Sequence, residues 1–295
     1  MLKAFVSENL GPNSINRIKA LENNTYIAKS LFATSEDQLI LIADGTYCYC
    51  QKSSNNIFQR ISFSVQKGTH LVKPFVVCLS DGYIIDIYGV FEATKNDASI
   101  ILEILESHQD LRDFLQPNDI LILDRGFRDA IELLNNKYNL ITKMPSLLGK
   151  NQNQLDALEA NLSRFVTKCR WVVEVINSFL KKSFKALSRV KNNSLPHIID
   201  DFKIAGSLVN RYFQRLFSDK DNYREIVDNM KSKLKTTNKL KDFIQENQFH
   251  KTSLFDKIDF SLITDFPKLE LNDIRTHITL GSYQLNQALS YLAEH

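Results

Sequence analysis

Cysteine is scarce in this sequence, and the four residues Cys48, Cys50, Cys78 and Cys169 form no C-x-x-C pair. Cys48 and Cys50 stand two apart on what reads as one strand and are too few to ligate zinc by themselves, so all four are read as reduced thiols of an intracellular protein. Long apolar runs are missing too. No window approaches the roughly 18 consecutive apolar residues of a membrane span, and the opening MLKAFVSENLGPNSINRIKAL lacks the apolar stretch of a signal peptide. The histidines show no metal-ligand spacing such as H-E-x-x-H and are read as surface or structural residues. No repeat recurs at solenoid periods. Charge of one sign is also lacking, since 37 Lys and Arg face 34 Asp and Glu for a net +3, and that balance alone selects no partner.

What is present is the composition of a folded chain, 43% hydrophobic and 24% charged over 295 residues. That suffices for a full core in one large domain or two smaller ones and excludes a disordered or collagen-like chain. The charge is unevenly spread. From Arg170 to Lys220, ten basic residues stand against four acidic ones, a local +6 that leaves −3 for the rest. Such a segment suits a polyanion-binding face, as it also suits a solvated helix face.

Apolar spacing gives an α/β order. Between Pro12 and Phe32, Ile15, Ile18 and Leu21 step by three and Ile27 and Leu31 by four, which predicts short helices. Gln38 to Ala43 (QLILIA) is an apolar block ending at Asp44-Gly45-Thr46, the pattern of a buried strand and a turn. Ile61 to Val65 alternates, Pro74 to Leu79 (PFVVCL) is a second buried run, and Asp81-Gly82 turns the chain into Tyr83 to Ile87. These segments predict three or four antiparallel strands. Asp97 sits at the N-cap or first turn of a helix carrying Ile100, Ile101, Ile104 and Leu105, which Pro117-Asn118 breaks. Asp119 to Leu123 (DILIL) reads as a buried strand ending at Asp124-Arg125-Gly126, before a helix around Ala130 to Leu134 and a short strand from Asn139 to Thr142. Gly149 to Asn161 is polar and expected to be exposed. A long amphipathic helix follows through Phe165, Val172, Val173, Ile176 and Leu180, with Trp171 as a packing residue, and helical patterning runs from Leu195 to Phe217.

Three carboxylates share one logic. Asp44 and Asp124 each end an apolar strand, and Glu174 lies among apolar residues of the amphipathic helix. Strand ends meet at the sheet edge where ligands bind, and acids converging there repel one another unless a cation bridges them. Oxygen-only ligands suit Mg²⁺ or Mn²⁺, and a pair of such ions activates a hydroxyl and stabilises the leaving oxygen of a phosphodiester. Each residue also has an ordinary reading: Asp44 and Asp124 as turn residues, Asp97 as a helix cap, Glu174 as a surface charge.

Taken together these residues resemble the DDE superfamily endonucleases of the harbinger transposase type. Asp44-Gly45-Thr46 resembles the first acidic motif of that family. Gly89 to Ile100 (GVFEATKNDASI) resembles the second, with Asp97 in the acidic position. Asp124-Arg125-Gly126-Phe127 resembles the D-x-G-Y element, and Arg170-x3-Glu174-x6-Lys181 the run on the helix of the final acid. The resemblance, from about Ile40 to Tyr212, implies a ribonuclease H-like α/β fold, a mixed sheet flanked by helices. It implies metal binding by Asp44, Asp97, Asp124 and Glu174, as two Mg²⁺ or Mn²⁺ ions, with Asp44, Asp124 and Glu174 as the reacting triad and Asp97 auxiliary. Arg170 and Lys181 would meet DNA phosphates, and the location would be nuclear, with cytoplasmic as the alternative. Phe127 departs from the usual Tyr, and Thr167 stands where some related transposases have Tyr.

The resemblance divides the chain into a short helical segment over 1–37, a nuclease domain over 38–217 and a mostly helical extension over 218–295. With 43 residues before Asp44 and no helix-turn-helix or zinc-finger pattern among them, target recognition is expected to be missing or supplied by a separate DNA-binding partner, and self-association is left open. The competing reading is a domesticated DNA-binding or scaffolding protein without catalysis, against which all four acids stand. A haloacid dehalogenase-type phosphatase is set aside, because Ile42 occupies the position of its nucleophilic Asp.

Overall fold

The computed structural model describes residues 2–150, 152, 154–216, 222–234, 236–249 and 269–274. These fall into two compact units, Met1–Thr237 and Asn238–His295. Phe217, the expected end of the helical patterning, and Lys220, the end of the basic segment, lie outside the described residues.

The first unit opens with the helices α1 (Leu2–Asn9), α2 (Arg17–Glu22) and α3 (Tyr26–Phe32). Asn16 caps α2 by accepting from Lys19 N, and Thr25 caps α3 by accepting from Ala28 N. Leu10, Ile15, Ala20, Ile27 and Ala28 are buried in the same core as the sheet. The segment is tied down by Arg17, whose guanidinium donates to both oxygens of the buried Asp119 carboxylate at 2.8 and 2.6 Å.

The sheet is built from β1 (Ile40–Gly45), β2 (Cys48–Cys50), then after helix α4 (Asn56–Ser62) from β3 (Phe63–Ser64), β4 (Thr69–Leu79) and β5 (Ile84–Glu92). Helices α5 (Asp97–Ser107) and α6 (Gln109–Phe114) precede β6 (Ile120–Ile122), and α7 (Ile131–Asn136) precedes β7 (Ile141–Lys143). The long helix α8 (Ala157–Ser183), β8 (Arg189–Val190), α9 (Ile198–Tyr212) and α10 (Tyr223–Leu234) complete the unit. The eight strands form one mixed sheet. Along Phe75–Cys78, β4 pairs antiparallel with β1 on one edge and with β5 on the other. On its far side β1 pairs parallel with β6, and β6 parallel with β7. The order across the centre is therefore β5-β4-β1-β6-β7, with β4 alone reversed.

Period-two alternation decides which helices cover which face. Ile40 and Ile42 of β1, with Ile120 and Ile122 of β6, pack with Val172, Val173 and Ile176 of α8 and Phe202 and Val209 of α9. Leu39, Leu41 and Ala43 face the other way, against Ile100, Ile101 and Ile104 of α5, Leu111 of α6 and Leu134 of α7. The result is a helix–sheet–helix sandwich, and the buried runs in β1, β4 and β6 are apolar on both faces for that reason.

Local capping overrides three details of the sequence reading. Ile61 to Val65 alternates like a strand, yet Asn55 caps α4 by accepting from Ile57 N and Phe58 N, so the helix runs to Ser62 and leaves β3 only two residues. Part of the polar stretch before Asn161 is helical, because Asp156 and Glu159 form a reciprocal capping box that starts α8 at Ala157. The helix after Asp97 ends at Ser107, and His108 in extended geometry separates it from α6. All four cysteines are buried free thiols. Among the described residues no helix is long and apolar enough to cross a membrane. In the second unit the described residues form α11 (Lys239–Glu246) and the short α12 (Leu271–Asp273).

Candidate functional site

Because β1 and β6 run parallel, the residues that follow their apolar cores emerge at the same sheet edge. Asp44 is the last acidic residue of β1 and Asp124 follows β6 after Leu123. Asp44 continues the Ile40, Ile42 alternation and so projects toward the α8 side, where Glu174 lies. Asp97 comes in from the opposite layer as the first residue of α5. The cap itself is Asn96, whose Oδ1 accepts from Ser99 N at 2.8 Å, so the Asp97 carboxylate is not engaged in capping.

Gly45 makes room for that carboxylate. A Cβ on Gly45 would lie 2.9 Å from Asp97 Oδ1, whereas one on Gly126 would lie 2.9 Å from Asp124 Oδ1 and meet Asp97 Oδ2 only at an ordinary contact distance of 3.6 Å. Both glycines thus have a steric reason: Gly45 lets the α5 acid approach the end of β1, and Gly126 lets the Asp124 carboxylate fold over its own turn. Asp124 folds its own turn, accepting from Gly126 N at 2.7 Å. Phe127, in the position of the family's Tyr, is fully buried with its ring edge-on to Phe75 at 5.9 Å, where a hydroxyl would need a partner.

The electrostatics report the crowding. Burial is the largest cause pushing the Asp44 carboxyl up to about 7, and the charges of Asp124, Asp97 and Glu174 push in the same direction against Arg170. Asp97 is raised by burial too, with Lys73 lowering and Asp124 raising it. Lys73 was not singled out from sequence. It is a lysine inside the apolar strand β4, buried, with Nζ donating to Lys95 O at 2.6 Å and standing 3.8 Å from Asp97 Oδ1. The signal was there, since an ammonium in the middle of THLVKPFVVCL has to be compensated.

Glu174 corrects the expectation of a helix acid held among apolar neighbours. Its side chain is 53% exposed and pairs with Arg170 one turn earlier, Nη2 to Oε1 at 2.5 Å. Lys181 is half-buried two turns on, its ammonium's pKa lowered chiefly by burial, within electrostatic reach of Asp44. A cavity of about 490 Å³ opens here, bounded by Asp44, Glu174, Tyr47, Tyr49, Asn177 and Lys181.

As the side chains stand, no three acidic, histidine or cysteine groups among the described residues are placed to share one metal ion. The donor set nonetheless fits a divalent cation. It is oxygen-only, burial and the neighbouring carboxylates together hold Asp44 far above its usual range, and an ammonium already occupies the position of a counter-cation beside Asp97.

The sequence profile of the DDE superfamily endonucleases matches residues 43–210, from the end of β1 into α9. The chain belongs to this family. The matched span includes all four acids, together with Arg170 and Lys181. The chain is also similar to a piggyBac transposase solved by cryo-EM in a synaptic complex with hairpin DNA. The two share 11% identity at a TM-score of 0.37, over 81% of this chain and 62% of the transposase. No curated protein matches it in sequence.

Proposed function

We propose that this DDE endonuclease is a divalent-metal-dependent nuclease of the harbinger transposase type that cuts DNA phosphodiesters and joins strands. The observation that carries the reading is the position of Asp44 at the sheet edge, within electrostatic reach of Asp97, Asp124 and Glu174, with Asp97 also within reach of Asp124. The order β5-β4-β1-β6-β7 with one reversed strand supports a ribonuclease H-like core, and the nuclease domain is assigned to residues 38–217.

Asp44, Asp124 and Glu174 would hold the reacting metal ions and Asp97 would assist. Bound there, two divalent ions supply Lewis acidity to the attacking and leaving oxygens. The chain's own groups do the rest. Lys73 keeps the Asp97 carboxylate compensated while the site is unloaded. Arg170 holds Glu174 on the helix surface, and once Glu174 turns to the site its guanidinium is free for a phosphate oxygen. Lys181, on the far side of Glu174, supplies a second cation for the backbone.

One observation favours a second reading, a DNA-binding remnant without catalysis: Glu174 is committed to Arg170 rather than to the other acids. A plasmid-nicking assay with Mg²⁺ or Mn²⁺ decides between them. Metal-dependent nicking by the wild type, lost in Glu174→Gln, is the expected result. No nicking by a folded wild type across both metals would reject the catalytic reading.

A further inference from the structure

We propose that the cavity beside the acids accommodates an unpaired nucleotide, so that the site engages its DNA locally single-stranded rather than as an intact duplex. The inference rests on the nuclease reading and names the form of its substrate.

The cavity, about 490 Å³, falls in the ~300–1,000 Å³ range of clefts that enclose a small molecule. One unstacked nucleotide fits such a volume. Its walls carry the two kinds of group a single strand needs. Tyr47 and Tyr49 lie two apart, alternating with the buried Cys48 and Cys50, so both rings face the cavity side instead of the core. Neither ring is buried, although Tyr49 sits on a strand between two others. Aromatic rings left partly open along a concave wall are stacking platforms for a planar partner.

Cations surround them. Lys181 and Lys182 line the cavity, and Lys67 Nζ stands 5.2 Å from the centroid of the Tyr47 ring. Among the described residues no carboxylate lies within ion-pair distance of Lys181, although that lysine is half-buried. A half-buried ammonium that Asp44 attracts only from beyond ion-pair distance keeps its donors open to an anion from outside. Aromatic faces interleaved with ammonium groups, ending at a carboxylate cluster, place a base on the tyrosines and its phosphates on the lysines, with the backbone led toward Asp44 and Glu174.

The test is equilibrium binding of a short fluorescein-labelled oligonucleotide to the full chain in EDTA, single-stranded and annealed to its complement. Single-stranded DNA is expected to bind at least about tenfold more tightly than the duplex. Tyr47→Ala and Tyr49→Ala are each expected to weaken single-strand binding by about 5- to 100-fold, at roughly the measured worth of one stacked base, with duplex binding unchanged. Tyr47→Phe and Tyr49→Phe keep the ring and should bind like wild type, which separates stacking from loss of a hydroxyl or of the fold. Lys181→Gln should flatten the salt dependence by roughly one phosphate's worth. Equal affinity for the two DNA forms, or folded alanine variants that bind like wild type, would overturn the proposal whatever the nicking assay gives. Selective single-strand binding that depends on the tyrosines would uphold it even if nicking is never seen, in which case the nuclease reading alone falls.

Discussion

Replacing Asp44 by Asn should stabilise the unloaded protein, because burial first and the neighbouring acids second make a charge at this position unfavourable. Burial and the neighbouring acids carry this carboxyl from 3.8 to about 7. In the unfolded chain it returns to its ordinary value, so between those two limits the folded state holds a proton the unfolded state has lost. Folding stability therefore falls as pH rises through that window, and the full cost is present above about pH 7. A difference of about 3 pKa units corresponds to about 4 kcal/mol, and solvent at the partly open rim screens this to about 2–4 kcal/mol. Asn keeps the shape and removes the charge. At about 2–4 °C per kcal/mol for a unit of this size, the variant should melt roughly 4–16 °C above wild type at pH 8 in EDTA. The two should converge near pH 4, where the wild-type carboxyl is protonated in the folded protein. Mn²⁺ should close most or all of the gap. A ligand of the folded state at a hundred times its Kd adds about 2.7 kcal/mol, and only the wild type keeps the full donor set. Thermal melts at both pH values, with and without Mn²⁺, read all of this. An Asn variant that is no more stable at pH 8, or a gain that persists unchanged at pH 4, would refute the electrostatic reasoning.

Asp81 is also raised by burial, to about 6, while Tyr83 N and Arg215 oppose the shift; Asp81→Asn keeps an acceptor for Tyr83 N–H and should stabilise by about 1–3 kcal/mol above pH 6, with the gain fading toward pH 4 in urea titrations. Arg17→Ala leaves the buried Asp119 carboxylate without its bidentate partner and should cost about 3–5 kcal/mol, seen as a lower urea midpoint; Arg17→Lys should recover only part, and a cost under about 1 kcal/mol would show the pair to be incidental. Gly45→Ala puts a methyl 2.9 Å from Asp97 Oδ1. Because the clash is with the end of a side chain, the melting temperature should move little while the Mn²⁺-induced rise shrinks or disappears, and an undiminished metal response would remove Asp97 from the site.

The elements legible in the sequence are those fixed by local rules. β1, β4 and β6 are continuous apolar runs closed by turn residues, and both faces of each are covered by helices, so no alternation was needed to find them. Helix α8 showed its face through Val172, Val173, Ile176 and Leu180. What escaped depends on partners far along the chain. The role of the N-terminal helices in the core hangs on Arg17 meeting Asp119 across 102 positions, and the strand-to-helix switch at Ile61 hangs on the single side chain of Asn55. Lys73 is a lone lysine until the fold delivers Asp97 to it, and Tyr47 and Tyr49 are strand residues until the cavity opens in front of them.

The same contrast explains why the acids stood out and their surroundings did not. Asp44 and Asp124 end strands whose parallel pairing follows from the α/β order, so their convergence is a consequence of topology that a pattern can anticipate. The protonation of Asp44 and the orientation of Glu174 are not consequences of topology. They depend on how much water the edge retains and on whether Arg170 or another cation claims the helix carboxylate, and both are set by side chains packing from separate layers. The glycines join the two levels: as D-G and D-R-G they read as ordinary turns, yet each is also a position where a methyl group would meet a carboxylate of the site, Asp97 beside Gly45 and Asp124 beside Gly126. A residue that satisfies the turn and the site at once carries the turn signal alone in the sequence, and only the three-dimensional neighbour reveals the second constraint.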